Sequence, residues 1–265
     1  MTSIFDLSAE VAVLTGGGGI LGSRFAHALA AHGARLAILD RDGDKAEKVA
    51  REVGERHGVV TRAYDIDVAA SDLWALEACI ASDLGAVTVL INAAASKADG
   101  FFEPFETYAL EDWHEVMRTN VTGVMLCCQA FGAAMAAAGR GSIVNILSIY
   151  GIVAPDPRIY EGSLYEGREI NTPAVYSTSK AAVWGLTRYL ATYWARTGVR
   201  VNAVTPGGAY SGQNRTFVDR YSARVPMQRM AEPDEIAGAV VFLASRASSY
   251  VTGQNIIVDG GLSAW

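Results

Sequence analysis

The sequence predicts an α/β fold in which a parallel sheet is covered by helices on both faces. Short segments rich in Val, Ile and Leu alternate with longer helical segments along all 265 residues. Their continuous apolar character is typical of strands that are buried on both sides of a sheet. Glycines or polar residues follow several of these segments, at the strand ends where such sheets bind ligands. With neither a linker nor a low-complexity tract in the sequence, residues 1–265 are expected to form one domain.

Seven strands and six helices are expected, in strict alternation over most of the chain. The strands are expected near residues 10–14, 34–39, 59–63, 87–91, 142–146, 199–204 and 254–258. The helices are expected near residues 23–30, 45–56, 71–84, 110–138, 176–197 and 233–245. The uncharged stretch 119–139 is long enough to cross a bilayer. Asn120, Thr122 and Gln129 interrupt it, which favours a helix buried in a protein core.

A glycine-rich turn, residues 15–22, follows the first strand and precedes the first helix. Its residues expected to contact a cofactor are Gly16, Gly19, Ile20, Leu21 and Gly22. A strand, a glycine turn and a helix together aim backbone N–H groups and the positive end of a helix at a pyrophosphate. The alternative is a flexible glycine loop. The flanking strand and helix favour a dinucleotide-binding, Rossmann-type domain.

An acidic residue closes the second strand and predicts how the nucleotide is held. Asp40 stands where a carboxylate accepts hydrogen bonds from the adenosine ribose. A 2′-phosphate 4 Å from that carboxylate would be repelled by roughly 4 kcal/mol per charge pair at an effective dielectric of 20. NAD is therefore expected rather than NADP, although neighbouring Arg41 could offset part of the repulsion.

Tyr176 and Lys180 form the most informative pair of the chain. Four residues apart on a helix, they stand on one face, one turn from each other. A cation beside a phenol favours the phenolate and lowers its pKa from about 10, which would make Tyr176 a general acid or base. The alternative is a surface lysine beside a half-buried tyrosine.

These features make the chain resemble the short-chain dehydrogenase/reductase family almost from end to end. The family landmarks that match are Thr15, Gly16 and Gly22 in the turn, Asn120, Ser148, Tyr176, Lys180, Pro206-Gly207 and Asp259–Gly261. The family's N-N-A-G after the fourth strand appears as Asn92-Ala93-Ala94-Ala95, with two of the four residues kept, and Ser211 stands where the family commonly has a Thr. The turn departs from the family at Ile20, where a glycine is usual, and Gly19 is expected to supply the flexibility instead.

The resemblance implies a role for each matched position. Tyr176 would exchange the substrate's hydroxyl proton, Lys180 would hold the nicotinamide ribose, Ser148 would bind the substrate oxygen, and Asn120 would hold a water linked to Lys180. Further cofactor contacts are implied at the positions after the other strands: Asp67, Val68, Asn92, Ala93, Ala94, Pro206, Gly207 and Ser211. Asp65 is an alternative to Asp67, since both fall near the end of the third strand.

An extra segment at residues 151–174 separates Ser148 from Tyr176 and is longer than is usual in the family. It is rich in charged and aromatic residues and must pass near the reaction centre. Arg158 and Arg168 are therefore expected to be available to an anionic substrate group. Residues 208–226 form a second expected substrate loop. The alternative for the first segment is a surface excursion without effect on specificity.

A polar segment of this kind suits a sugar, a sugar acid or a polyol better than an apolar substrate. The segment and the C-terminal end look similar to family members of sugar and sugar-acid metabolism, including mannonate-type oxidoreductases and enzymes of nonulosonic-acid or surface-glycan synthesis. The expected activity is NAD-dependent hydride transfer at a secondary alcohol. The alternatives are an epimerase or dehydratase that reduces bound NAD transiently, and a catalytically silent NAD-binding regulator.

The composition limits the partners. A net charge of −6 without a basic run makes nucleic acid or a membrane an unexpected partner. The three cysteines lack metal-ligand spacing, so no metal is expected, and the N-terminus lacks signal-peptide character, which predicts a cytoplasmic protein. The resemblance suggests a homotetramer, with a homodimer as alternative. The apolar C-terminal segment would lie in a two-fold interface with Trp265 near the partner, or would fold back on its own subunit.

Overall fold

A seven-stranded parallel sheet forms the centre of the molecule. The computed structural model describes residues 3–165 and 167–265. The strands of the sheet are β1 (Val11–Thr15), β2 (Arg35–Asp40), β3 (Thr61–Asp65), β4 (Val89–Asn92), β5 (Gly141–Ile146), β8 (Val199–Pro206) and β9 (Asn255–Val258). They lie in the order β3-β2-β1-β4-β5-β8-β9, and every neighbouring pair is parallel. The predicted doubly wound sheet is confirmed.

Helices cover both faces of this sheet. The α-helices among the described residues are α1 (Ile20–Ala31), α2 (Gly43–His57), α3 (Leu73–Leu84), α4 (Leu110–Met117), α5 (Val124–Ala138), α6 (Ala174–Tyr193), α7 (Arg215–Ser222) and α8 (Pro233–Ala244). One core cluster joins α3, α5 and α6 to the sheet, and a second joins α1, α2 and α8 to its other face. Successive strand residues alternate between the two clusters, as Val13 and Leu14 do. Two apolar layers therefore fix the sheet between the helices.

The glycine turn depends on close backbone approach at two positions. Gly16 has a positive φ of 66°, and a Cβ there would lie 2.7 Å from Ala94 Cα. A Cβ on Gly22 would collide with the Gly16 carbonyl oxygen. Only glycine fits these two positions, because the first helix and the loop after β4 both pack against the turn. Ile20, by contrast, begins α1 with a side chain that is 52% exposed.

The long central helix differs from the prediction in its middle. The predicted helix 110–138 is continuous, but Arg118–Gly123 adopts a π-helical turn between α4 and α5. By length and composition, Leu110–Ala138 could cross a bilayer. In the structure it packs against α3, α6 and strands β4 and β5, which is the position of a core helix.

Two elements were not predicted, and both lie in the segments expected to approach the substrate. A short antiparallel pair, β6 (Leu164–Tyr165) and β7 (Arg168–Glu169), lies between Ser148 and Tyr176. The short helix α7 lies within residues 208–226. Their brevity explains the omission, since neither is long enough to show a clear hydrophobic period.

Candidate active site

A groove of about 370 Å³ runs along the carboxyl ends of β1, β2 and β4. The predicted cofactor residues that line it are Gly16, Gly19, Ile20, Asp40, Asp67, Val68, Ala93 and Ala94. Asp65 is absent from the described lining, and its side chain lies against Gly43 instead. Of the two acids considered after β3, the structure therefore brings Asp67 to the groove.

The Thr15 hydroxyl fastens the groove at its centre. Its oxygen accepts hydrogen bonds from the Ala93 and Ala94 N–H groups at 3.1 and 3.2 Å. These bonds hold the loop after β4 against the glycine turn, which follows Thr15 directly. Thr15 thus connects the two walls of the groove. Its match to the family landmark was the only indication of this role in the sequence.

Asp40 presents its carboxylate to the groove in a fixed orientation. One oxygen accepts from the Gly18 N–H at 3.0 Å and the other from the Asp42 N–H at 3.1 Å. Arg41 and Lys45 line the same end of the groove, and Lys45 pairs with Asp42 at 2.7 Å. This end of the groove, where the adenosine is expected, therefore holds a negative group beside two positive ones.

Asp67 is held on the opposite wall. Its carboxylate accepts from the Ala69 N–H at 2.9 Å and from the Arg118 guanidinium at 3.0 Å. Burial acts to raise the pKa of Asp67, but these two hydrogen bonds outweigh it, so that the pKa lies below its usual value. The group stays ionised and accepts hydrogen bonds.

A second cavity of about 320 Å³ opens beside the groove, and Ile20 lines both. We call it the substrate cleft. Its predicted residues are Ile20, Ser148, Tyr176, Gly207 and Ser211. The segment between Ser148 and Tyr176 contributes Tyr160, Ile170, Asn171, Thr172 and Pro173 to its wall. Lys97 is the single charged residue among the described residues of its lining.

Ser148 and Tyr176 meet at the floor of this cleft. Ser148 follows β5, and its hydroxyl hydrogen bonds with the Tyr176 phenol and accepts from the Tyr150 N–H at 3.2 Å. The Tyr176 ring packs edge-on against Phe101, with centroids 6.0 Å apart. Burial raises the pKa of Tyr176, and the Ser148 hydrogen bond offsets part of the rise. The lowered pKa expected from Lys180 is not found in this structure.

Lys180 lies beneath the tyrosine ring in a buried position. Its Nζ is 5.8 Å from the ring centroid of Tyr176 and donates to the Ile146 carbonyl oxygen at 2.9 Å. Burial lowers the pKa of Lys180 to about 8. The shared helix face of the pair is as predicted, but the ammonium group is directed to a strand carbonyl rather than to the phenol oxygen.

Asn120 lies in the π-helical turn and connects three elements. Its Oδ1 accepts from the Ser96 N–H at 2.9 Å, and its Nδ2 donates to Ser179 Oγ at 3.2 Å. Ser179 in turn donates to the Tyr176 carbonyl oxygen at 2.8 Å. The π turn adds a residue to the helix and is a feature often found at functional sites. Here it directs the amide toward the tyrosine's own helix turn.

Five predicted cofactor residues lie outside the described linings of both cavities. They are Leu21, Gly22, Asn92, Lys180 and Pro206. Leu21 packs against the core, and Gly22 supports the turn. Asn92 is buried, and its Nδ2 donates to Asn145 Oδ1 at 2.8 Å. Its side chain is thus used to join β4 to β5, while the adjacent alanines reach the groove.

The two arginines expected to bind an anionic substrate group are not at the cleft. The side chain of Arg158 is 82% exposed and forms a forked pair with Asp156 at 2.9 and 2.7 Å. Arg168 is exposed on β7 and is likewise absent from the described cleft lining. This expectation is corrected: the segment presents its aromatic and amide residues to the cleft and its arginines to solvent.

Several cleft residues were not predicted as site residues. They are Lys97, Phe101, Phe102, Tyr150, Gln213, Phe217, Tyr221 and Met230. Phe217 and Tyr221 come from α7, and Tyr221 accepts the Gly208 N–H at 2.5 Å. The paired Phe101-Phe102 after a strand end was the one available signal, because two adjacent aromatics in a loop are unusual unless they cover something.

The chain is similar to characterised proteins over nearly its whole length. A family model described as enoyl-(acyl carrier protein) reductase matches residues 19–263. Galactitol 2-dehydrogenase (L-tagatose-forming) of Cereibacter sphaeroides is 35% identical over 271 residues, which cover 99% of this chain and 98% of that protein.

Two solved structures show the same architecture. A gluconate 5-dehydrogenase from Burkholderia cenocepacia J2315, in complex with NADP and tartrate, superimposes with a TM-score of 0.86 at 32% identity and covers 98% of both chains. An NAD⁺-bound xylitol dehydrogenase has a TM-score of 0.85 at 29% identity, covering 97% of this chain and 99% of its own. The similarity therefore includes both the groove and the cleft.

Proposed function

The chain belongs to the short-chain dehydrogenase/reductase family, and from this premise we propose that it oxidises a secondary alcohol of a polyol, sugar or sugar acid with NAD. The observation that carries the proposal is the junction of the two cavities. The groove meets the cleft at Ile20, and Ser148 and Tyr176 are hydrogen-bonded on the cleft floor. A nucleotide and a small alcohol can thus be held side by side.

The groove fits a dinucleotide. A Cβ on Gly18 would lie 2.7 Å from Lys45 Cβ and 3.0 Å from Asp40 Oδ2, so glycine at this position lets both side chains lie close to the turn. The N-terminus of α1, capped at Gly19 without a side-chain partner, leaves backbone N–H groups for a phosphate. Asp40 would accept from ribose hydroxyls, and Asp67 with Val68 would border the adenine.

The proposed chemistry assigns each proton to a named atom. When bound, the nicotinamide ring supplies the hydride acceptor for oxidation and the donor for reduction. Tyr176 Oη takes the substrate's hydroxyl proton in oxidation and returns it in reduction. Ser148 Oγ, already hydrogen-bonded to the Tyr176 phenol, positions the substrate oxygen. Lys180, whose ammonium group lies below the ring and donates to the Ile146 carbonyl oxygen, would hold the nicotinamide ribose hydroxyls.

NAD is the proposed nucleotide, with NADP as the less favoured one. Both oxygens of Asp40 are fixed by backbone N–H groups, so the carboxylate cannot turn away from a 2′-phosphate. Arg41 and Lys45 at the same end would soften the repulsion, and Lys45 is already paired with Asp42. Of the two solved relatives, the gluconate 5-dehydrogenase is in complex with NADP and the xylitol dehydrogenase is bound to NAD⁺. The proposal of NAD over NADP therefore rests on the residues of this groove.

A polar substrate is supported by the cleft lining. Hydroxyl and amide groups from Ser148, Tyr160, Asn171, Thr172 and Gln213 stand among aromatic walls. Relatives named for galactitol and gluconate point the same way. We include mannonate-type oxidation and nonulosonic-acid synthesis in this proposed class of polar substrates. We also propose a cytoplasmic homotetramer, following the family resemblance.

The direct test is a panel of alditols, aldoses and sugar acids assayed for NADH formation at 340 nm with purified protein. At least one alditol or sugar acid should support NADH accumulation in proportion to substrate consumed. An epimerase or dehydratase would convert substrate without net NADH, and a silent regulator would bind NAD and convert nothing. Either result would contradict the proposed function.

A further inference from the structure

Asn171 occupies an unusual position in the wall of the substrate cleft. Its Nδ2 donates to the Phe102 carbonyl oxygen at 2.7 Å, and both residues line the cleft. This hydrogen bond fixes which end of the amide is which, since the opposite orientation would place two acceptors against each other. The side chain therefore joins the segment before Tyr176 to the aromatic loop after β4 in one defined orientation.

The other end of this amide lacks a partner. Asn171 Oδ1 is buried and accepts no hydrogen bond from any described residue. Four side-chain atoms in the described part of the chain are in this condition, and Asn171 alone among their residues lines the substrate cleft. Buried polar groups are nearly always hydrogen-bonded, so each exception calls for a specific explanation.

Neighbouring polar groups of the same wall are already paired. The Tyr160 hydroxyl and Thr172 Oγ1 are 2.5 Å apart, and Tyr160 is also hydrogen-bonded to Tyr150. These phenols form a connected layer that does not reach Asn171 in the described contacts. The amide oxygen is thus a spare acceptor on a wall whose other polar groups have partners.

We propose that Asn171 is a specificity-determining residue whose Oδ1 accepts a hydrogen bond from a substrate hydroxyl other than the one that is oxidised. The inference rests on the proposed function and narrows its substrate class. An amide oxygen only accepts, so a hydroxyl satisfies it, a methylene leaves it unpaired, and a carboxylate would oppose oxygen to oxygen. The substrate end at Asn171 is therefore a neutral, hydroxylated carbon.

The experiment compares the preferred alditol with analogues that each lack one non-reacting hydroxyl. For the wild type, kcat/KM should fall at least tenfold for one analogue, because a site built to bind a hydroxyl rejects a ligand without it. Asn171→Ala should reduce the ratio of kcat/KM for the alditol to kcat/KM for that analogue to about twofold, mainly by lowering activity on the alditol. Arg158→Ala, on the same segment but outside the cleft, should keep the wild-type ratio. NADH fluorescence titration should give the same affinity in all three proteins.

The outcomes separate the two proposals. A wild type that forms no NADH with any member of the panel would contradict the proposed function. An active wild type, together with an Asn171→Ala variant that loses the same factor on alditol and deoxy analogues, would overturn the role of Asn171, because a purely structural residue affects both alike. Asn171→Ser gives a second, smaller change if the alanine variant is insoluble. An unchanged ratio in that variant would overturn the proposal equally.

Discussion

At the scale of single residues, Tyr176 is the group on which the proposed chemistry depends. Tyr176→Phe removes the hydroxyl that bonds with Ser148 and leaves the ring against Phe101. We expect kcat to fall by roughly 10²-fold or more, since general acid–base groups contribute about that much, with NADH affinity nearly unchanged. Steady-state kinetics and fluorescence titration measure the two quantities. Tyr193→Phe, at an exposed tyrosine, is the control. A Tyr176→Phe enzyme with most of its turnover would contradict the assignment.

The carboxylate of Asp40 should decide the cofactor preference. We expect the wild type to favour NAD over NADP, and Asp40→Ala to narrow the difference by removing repulsion of the 2′-phosphate. The measurement is kcat/KM for both cofactors. Asp65→Ala is the matched control, because Asp65 pairs in register with Asp40 on the next strand but lies outside the described lining of the groove. A native preference for NADP would refute the prediction.

Lys180 should make stability depend on pH in a known direction. Burial lowers its pKa from 10.5 to about 8 in the folded protein. Between pH 8 and 10.5, Lys180 is protonated in the unfolded chain but largely neutral in the folded protein, so stability rises with pH. The contribution of Lys180 is therefore fully present above pH 10.5 and is lost as pH falls to 8.

As the pH rises from 8 to 10.5, the free energy of unfolding of the wild type should therefore increase by up to about 3 kcal/mol relative to that of Lys180→Met. Urea unfolding of both proteins at pH 8 and 10.5 measures the change in their difference. A difference that stays constant, or moves the other way, would show that the ammonium is not desolvated in the folded state.

At this scale, the sequence predicted site residues correctly where the backbone conformation or the chemistry requires one residue type. Gly16 and Asp40, which line the groove, and Ser148 and Tyr176, which line the cleft, were identified in this way. The direction of the Tyr176 pKa shift was not predictable, since it depends on how deeply the ring is buried. Arg158 was misplaced for a related reason: its own neighbour Asp156 satisfies it, and charge alone does not reveal which side of a loop faces the cleft.

At the scale of elements, substitution by alanine should be more damaging at Gly16 in the glycine turn than at Gly139, a glycine outside the turn that also has a positive φ. Gly16→Ala combines a positive φ with a Cβ 2.7 Å from Ala94 Cα. Gly139 also has a positive φ, of 73°, but a Cβ there would have nothing within 4 Å. We expect Gly139→Ala to cost about 1 kcal/mol from backbone strain alone, and Gly16→Ala to cost more and to weaken NADH binding. Thermal unfolding and NADH titration compare them.

Equal losses of stability in the two variants, with unchanged NADH affinity in both, would show that the loop after β4 can move away from the turn. The comparison is informative because both positions share the conformational penalty. The difference between them isolates the close contact with Ala94.

Most of the regular elements were predictable, because strands such as β1 and β4 are nearly continuous apolar runs and helices such as α2 begin and end at polar or glycine residues, Asp42 and Gly58. The π-helical turn at Arg118–Gly123 was not, since one added residue hardly alters the apolar period of a helix. Short α7 and the β6–β7 pair were also missed. Helix α7 is held by Phe217 and Tyr221, which pack in an apolar cluster with Ile159 and Met230, whereas Leu164, Arg168 and Glu169 of the β6–β7 pair are exposed.

At the scale of the whole molecule, assembly remains a prediction. Trp265 folds back on its own subunit, where its indole N–H donates to the Arg224 carbonyl oxygen at 3.1 Å, yet the residue is 80% exposed. Covering this indole with a neighbouring subunit would bury a large apolar surface, which supports the predicted interface.

We expect light scattering of the full chain to give the mass of a homotetramer, and a chain ending at Asp259 to shift toward smaller species. Gel filtration at several concentrations would exclude slow association. A monomeric full-length protein would contradict the prediction, and a truncated chain with unchanged mass would remove Trp265 from the interface.

The buried amide of Asn92 has a consequence for how this protein can change over generations. Asn92 donates to Asn145, and Asn145 donates to Thr187 at 2.9 Å, so β4, β5 and α6 share one chain of hydrogen bonds inside the core. Replacing any single member by an apolar residue leaves a neighbour with an unsatisfied polar atom, whereas replacing all three does not. Each one-step path therefore passes through a destabilised intermediate. The three positions should vary together or not at all, and their substitution energies should be strongly non-additive.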